Sequence, residues 1–205
     1  MQPKDLSDLC GPLPAVAVAR EFPEKTHHCV YMDNVEGGYR ATKHLIEHGH
    51  RKIAIITGIA RHPDAIKRLE GYEKALVEAG IKPDPELIIE GDFLADSGRA
   101  AVESLLKNKK EFTAIFAGND MMAFGARLAL YREDLRVPED VSIVGFDDQA
   151  ESAFMAPPLT TIRQPGHEMG ARASKAILSL IAGEPFESHR MDGELQIRES
   201  VAKNQ

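Results

Sequence analysis

Six short apolar runs, rich in β-branched residues, alternate along the chain with longer segments in which apolar residues recur at helical spacing. The runs cover residues 15–19, 29–32, 53–57, 87–89, 114–117 and 141–146. Each is apolar at successive positions, so both faces are expected to be covered, as in the strands of a parallel sheet lying between helices. In one intervening segment Val35, Tyr39, Thr42 and Ile46 share a helical face, and Gly49 stands where that helix stops. Pro63 and Asp64 open the next, Ile66, Leu69, Tyr72 and Leu76 form its predicted buried face, and Gly80 ends it. Three more helices are expected from 96 or 97 to 106, from 121 to 131 and from 166 to 181, the last closed by Gly183. Repeated strand, helix and turn units make right-handed crossovers, so the predicted fold class is α/β with a doubly wound parallel sheet.

Such sheets bind ligands in the crevice at the carboxyl ends of their strands. Four of these ends read Thr57-Gly58, Glu90-Gly91-Asp92-Phe93, Ala117-Gly118-Asn119-Asp120 and Gly145-Phe146-Asp147-Asp148. A bare turn needs only small or turn-forming residues, whereas these ends repeat carboxylates, an amide and an aromatic ring at equivalent positions. Brought together, they would offer directional acceptors and donors to hydroxyl groups and a flat apolar face to a sugar or base ring. Taken singly, each is a turn residue as readily as a ligand contact.

Charge narrows the partners. The 32 acidic and 25 basic side chains leave a net charge of −7, and no long basic stripe marks a surface that grips nucleic acid directly. No run approaches the roughly 20 apolar residues of a membrane span, and residues 1–9 lack the basic flank and apolar centre of a signal peptide. Cys10 and Cys29 have no cysteine neighbours, which fits a reducing, cytoplasmic setting better than a disulfide framework. The histidines include His27-His28 and the group His44, His48 and His50, with His44 and His48 one helical turn apart. No carboxylate or cysteine stands at ligand spacing beside that group, so a solvated helix face is expected there and no metal site. A Walker loop, a dinucleotide fingerprint and a nucleophile elbow are all absent from the sequence, so neither an enzyme nor a cofactor is expected.

Longer motifs add to this. Residues 49–58 read Gly-His-Arg-Lys-Ile-Ala-Ile-Ile-Thr-Gly, 68–72 Arg-Leu-Glu-Gly-Tyr, and 119–125 Asn-Asp-Met-Met-Ala-Phe-Gly. Residues 137–148 read Val-Pro-Glu-Asp-Val-Ser-Ile-Val-Gly-Phe-Asp-Asp and 157–165 Pro-Pro-Leu-Thr-Thr-Ile-Arg-Gln-Pro. Any one is a weak signal, but in this order they closely resemble the lactose-repressor/galactose-repressor (LacI/GalR) family of bacterial transcription regulators. The resemblance implies a helix-turn-helix followed by an effector-binding core, periplasmic-binding-protein-like, of two α/β subdomains joined by three crossing strands. Residues 1–32 and 164–191 would belong to the first subdomain, and 33–163 and 192–205 to the second. The opening residues resemble the late part of the first subdomain. The expectation is therefore an N-terminally truncated core, with one complete subdomain and fragments of the other whose apolar faces pair with a second copy, swap or stay mobile.

By the same resemblance, Asp147 accepts hydrogen bonds from ligand hydroxyls or ring N–H groups, and an ionised carboxylate can serve two hydroxyls at once. Arg68 reaches into the cleft, where its planar fork can hold a hydroxyl pair while bonding Asp147 or Asp120. Asp64, four residues before Arg68, matches a ligand-contacting position and is also placed to cap its helix. Phe93 matches the ring that stacks on the base in purine-binding members, or else plugs the core beneath its loop. Asn119 and Asp120 match a pair used for ligand bonding and for starting the next helix. His62 stands where purine binders carry an arginine, which argues against a purine effector.

The implied function is a homodimeric regulatory core that senses a sugar, sugar phosphate or nucleoside and alters operator DNA affinity through a helix-turn-helix outside this chain. A solute-binding protein for sugar transport is the competing reading on the same fold.

Overall fold

The computed structural model describes residues 10–11, 13–21 and 28–204. The expectations for residues 1–9 and for His27 lie outside the described residues. In chain order the strands and α-helices are β1 (Val16–Val18), β2 (His28–Met32), α1 (Asn34–Glu47), β3 (Ile53–Thr57), α2 (Pro63–Glu78), β4 (Ile88–Glu90), α3 (Ala95–Lys107), β5 (Ala114–Ala117), α4 (Asp120–Arg132), β6 (Ser142–Asp147), β7 (Thr160–Arg163), α5 (Gly166–Ile181), β8 (His189–Met191) and β9 (Glu194–Gln196). They divide into two compact units, residues 1–33 with 165–192 and residues 34–164 with 193–205.

In the first unit β1, β2 and β8 form a parallel sheet in that order. Val30, Met169, Ala173 and Met191 are buried together, with Val16 and Phe186 packed against them. Leu178 and Ile181 on α5 are exposed.

The second unit holds a six-stranded sheet in the order β4-β3-β5-β6-β7-β9, parallel except for the antiparallel pair β7 and β9. Every residue of β3 and β5 is buried. The order reverses between β3 and β5, because β4 lies on one side of β3 and the later strands on the other. In open α/β sheets ligands bind at such a reversal, outside the carboxyl ends of the strands. β7 escapes sequence reading because its buried residues begin Thr160-Thr161, not an apolar run. Their hydroxyls are consumed inside, Thr161 Oγ1 donating to Asp120 Oδ1 (2.6 Å) and Thr160 Oγ1 accepting from Arg198 N (2.9 Å).

The helix faces differ from the expected ones. On α1 the buried residues are Asn34, Gly37, Gly38, Ala41, Thr42, His44 and Leu45, while Val35, Tyr39 and Ile46 are only partly covered. On α2 Ile66 is 52% exposed, and Ala65, Arg68, Gly71, Tyr72, Ala75 and Leu76 face inward. The cause is a close crossing of the two helices. A Cβ on Gly38 would lie 2.3 Å from the Arg68 carbonyl oxygen, and one on Gly71 would lie 2.1 Å from that of Val35. Where backbones touch, the smallest side chains go inside rather than the most apolar.

The solvated histidine face is also corrected, since His44 and His50 are buried. His50 Nε2 donates to Ala202 O (3.1 Å), which leaves Nδ1 to accept from Thr113 Oγ1 (2.9 Å). His44 Nε2 has no partner among the described residues, and burial beside His48 and His50 pushes its pKa down to about 4. An imidazole can be buried this way because it sheds its charge.

Candidate functional site

β3 runs into Gly58, and Phe93 beyond β4 lays its ring on it: a Cβ on Gly58 would lie 1.9 Å from Phe93 Cζ. Phe93 holds a φ of 70°, a region a bulky residue enters only when its surroundings force it. The Asn119 Nδ2 amide donates to the Phe93 carbonyl (2.9 Å) and helps fix that loop. His62 meets the Phe93 ring edge-on, with centroids 5.3 Å apart and planes at 75°. The two rings form an aromatic corner at the end of β3, and Phe93 packs against the core while remaining partly exposed.

Arg68 is 5% exposed and sits inside the unit, not on the helix surface. Its guanidinium lies 3.7 Å from the centre of the Phe146 ring. Nε donates to Asn34 Oδ1 (2.8 Å) and Nη1 to the Gly118 carbonyl at the end of β5. Nη1 is also 3.9 Å from Asp147 Oδ1. Burial lowers the pKa of Arg68, and the carboxylates of Asp147, Asp64 and Asp120 pull it back up. Asp147 has a φ of 117°, and its Oδ1 accepts from Gln164 Nε2 (2.5 Å). Desolvation raises its pKa, opposed by Arg68 and by the Gln164 bond. Two atoms are left over. Arg68 Nη2 and Asp147 Oδ2 have no hydrogen-bond partner among the described residues, yet neither is sealed from solvent. A donor and an acceptor are thus left open on two neighbouring side chains near the carboxyl ends of β5 and β6.

Other predicted residues are placed differently. Asp64 does not cap α2; the N-cap is His62, whose Nδ1 accepts from Asp64 N (3.3 Å). Asp64 Oδ1 instead accepts from Asn34 Nδ2 (3.2 Å). Asn119 caps α4 by accepting from Met122 N (2.9 Å), so its helix-starting role is seen directly. Asp120 is fully buried, and its oxygens accept from Gln149 N (2.8 Å), Ser152 Oγ (2.6 Å) and Thr161 Oγ1 (2.6 Å). Burial raises its pKa while those bonds lower it. With its acceptors consumed, Asp120 ties α4 to β7 and the turn after β6, and it is corrected from ligand contact to internal tie.

Sequence reasoning missed Asn34, Gln164 and the role of Phe146. Asn34 bridges Asp64 and Arg68, Gln164 steadies Asp147, and Phe146 floors the guanidinium. Gln164 lies in a quoted motif, and Asn34 opens a helix immediately beneath the site; a count of partners for Arg68 and Asp147 was the signal available. Among the described residues no group of three or more His, Cys, Asp or Glu is placed to hold a metal ion.

Residues 42–201 match the family described as periplasmic binding protein-like domain. The chain is 41% identical over 192 residues to the HTH-type transcriptional repressor CytR of Escherichia coli (strain K12), covering 92% of this chain and 56% of that protein. It is 40% identical over 180 residues to the HTH-type transcriptional regulator CelR of Thermobifida fusca, covering 87% and 53%. The chain spans about half the length of the curated relatives it matches. Among solved structures, a sugar-binding transcriptional regulator (LacI family) from Escherichia coli complexed with phosphate matches with a TM-score of 0.90 at 32% identity, over 100% of this chain and 76% of that one. A complex of the transcriptional regulator CelR with cellobiose matches with a TM-score of 0.86 at 39% identity, over 91% and 58%. The parallel sheet with its reversal, the motifs that line it and these likenesses converge: the chain belongs to the LacI family, and residues 42–201 are its periplasmic binding protein-like domain.

Proposed function

We propose that this chain is the effector-binding core of a bacterial transcriptional repressor, with residues 34–164 and 193–205 as the second effector subdomain and the other unit belonging to the first. A sugar-like or nucleoside-like effector is held by Arg68 and Asp147, against the aromatic corner of Phe93 and His62, with Asp64 and Asn119 close by. Its binding changes the affinity for operator DNA of a helix-turn-helix carried elsewhere in the full protein. The reading assigns no reaction and no cofactor to the chain, and places it in the cytoplasm.

The observation that carries this reading is the open donor and acceptor pair on Arg68 and Asp147, in a fold whose relatives are named as regulators. That naming favours regulation over solute transport on the same architecture. Homodimerisation is supported by apolar side chains left in water on one side of the unit. Phe154 is 87% exposed, Leu128 and Tyr131 on α4 are exposed too, and Arg127 on the same helix donates to Pro157 O (2.8 Å) near Phe154.

The test is a calorimetric screen of sugars and nucleosides with Asp147→Asn as control. Asparagine tolerates positive φ far better than alanine, so the variant removes charge without adding backbone strain. A ligand bound by the wild type and lost by at least about tenfold in the variant supports the site. Equal affinity in both removes Asp147 from it.

A further inference from the structure

We infer that this unit selects an effector presenting an uncharged ring with neighbouring hydroxyls, and that it discriminates against the phosphorylated form of the same compound. The inference rests on the effector reading above and narrows it.

Parallel α/β sheets hold phosphate chiefly through helix N-termini at the strand ends, where unpaired backbone N–H groups and the helix dipole meet the anion. Three helices start at these strand ends, α2 after β3, α3 after β4 and α4 after β5. All three carry an acidic residue in the first turn, Asp64, Asp96 and Asp120 respectively. In α2 and α4 a first-turn donor is also engaged. α2 begins with Pro63, which has no N–H, and the next N–H, that of Asp64, is given to His62 Nδ1. α3 has no side-chain cap, but the loop ahead of it is folded on itself, Leu94 N donating to Asp92 Oδ1 (2.9 Å) and Asp92 N to Ser97 Oγ (3.1 Å), which holds the Asp92 carboxylate close to that helix end. In α4, Met122 N donates to Asn119 Oδ1. Each positive helix end thus already faces a carboxylate of the chain itself, which opposes a second anion there.

The remaining charges point the same way. Arg68 is the buried cation of the site, 3.9 Å from Asp147 Oδ1, and the Asn34 side chain that accepts from its Nε donates in turn to Asp64. Glu90 and Asp92 add negative charge at the end of β4, Glu90 Oε1 accepting from Ala60 N (2.9 Å). Asp148 does not count toward the excess, because Arg198 (2.5 Å) and Arg163 (2.7 Å) pair with it. The β3–α2 loop contributes one cation, Arg61, which is exposed. A phosphate dianion would therefore face carboxylates with weak compensation, and like charges set against each other at a binding surface cost more than an exposed arginine returns. What the surface offers instead is neutral chemistry. Asp147 Oδ2 accepts, Arg68 Nη2 donates, and His62, whose Nδ1 is an acceptor in its cap, carries its proton on Nε2 as a further donor. Adjacent ring hydroxyls satisfy such a pair, and the Phe93 ring covers an apolar or aromatic face.

The experiment is titration calorimetry of the whole chain with three matched pairs: ribose and ribose 5-phosphate, cellobiose and its 6-phosphate, cytidine and cytidine 5′-monophosphate. At least one neutral member is expected to bind, its phosphorylated partner at least about tenfold more weakly, and Asp64→Asn to narrow that gap. A phosphorylated member that binds as tightly as its neutral partner or more so, and loses affinity in Arg61→Ala, overturns the inference and leaves the effector reading standing. No heat of binding and no thermal shift with any of the six overturns the effector reading itself, and the inference with it.

Discussion

At the amino ends of β3, β5 and β6 lie His50, Thr113 and Ser142; at the carboxyl ends of the same strands lie Gly58, Gly118 and Asp147. Both ends are polar, but their hydrogen bonds are used differently. The amino ends are closed by the last residues of the chain. Ala202 takes the His50 Nε2 proton on its carbonyl and donates its own N–H to Ser142 Oγ (3.0 Å). Ser200 Oγ donates to Ile143 O (2.6 Å) and accepts from Thr160 N (2.8 Å), and Asn204 N donates to His48 O (2.8 Å). A hollow of about 440 Å³ remains there, and His50, Thr113 and Ala202 in its wall are bonded to one another. At the carboxyl ends, Arg68 and Asp147 each keep one atom open. The two ends are alike in polarity and differ in unspent hydrogen-bonding capacity, which is what the proposed site draws on.

Asp120 is the residue that could break this contrast, since it sits at the carboxyl end but behaves like the closed one. Asp120→Asn replaces an acceptor of three hydrogen bonds with a group that must turn a donor toward other donors. We expect a loss of about 3 kcal/mol in urea unfolding, with ligand affinity unchanged in the folded fraction. A stable Asp120→Asn that fails to bind would return the residue to the site.

His44 tests the closed side by pH. Its folded pKa lies at about 4 against 6.5 when exposed, so the unfolded chain takes up the proton first as pH falls. Stability is therefore full above about pH 6.5 and declines toward pH 4, by up to about 3 kcal/mol. Denaturant midpoints measured at pH 7 and pH 4.5 should converge in His44→Leu relative to the wild type. Ser200→Ala strands a buried carbonyl and a buried N–H, and should cost about 2 kcal/mol with no change in ligand binding. Asp147→Asn sharpens the comparison from the other side. Desolvation already disfavours the charged form of Asp147, so stability should move by less than about 0.5 kcal/mol while affinity falls.

Much of the sheet was legible because β3, β5 and β6 are buried on both faces and leave unbroken apolar runs. The strands that were not, β7, β8 and β9, are short and polar, and only pairing partners distant in sequence define them. Helix positions followed from their stop signals, but their inward faces did not, because Gly38, Ala41, Gly71 and Ala75 carry little hydrophobic signal while packing closest. For the site, motif order pointed to Arg68 and Asp147 together. It could not separate Asp120 from Asp147, two carboxylates at neighbouring strand ends, because the difference lies in Ser152 and Thr161, whose hydroxyls reach only Asp120. His44 was misread for the opposite reason: its spacing suits a surface, and nothing in the sequence announces a titratable ring with an unmet nitrogen.

The glycine crossing of α1 and α2 carries a mechanical consequence. With Gly38 against the backbone of Arg68 and Gly71 against that of Val35, the two helices have no side-chain cushion in which to slide. Asn34, the first residue of α1, is bolted to the same arginine and stands where the chain enters this unit from the other. A shift of the Arg68 guanidinium is therefore expected at the first turn of α1, because the helix contact has no soft layer to absorb it. The two helices are in effect one rigid piece, and a single methyl group at either glycine would wedge that piece apart.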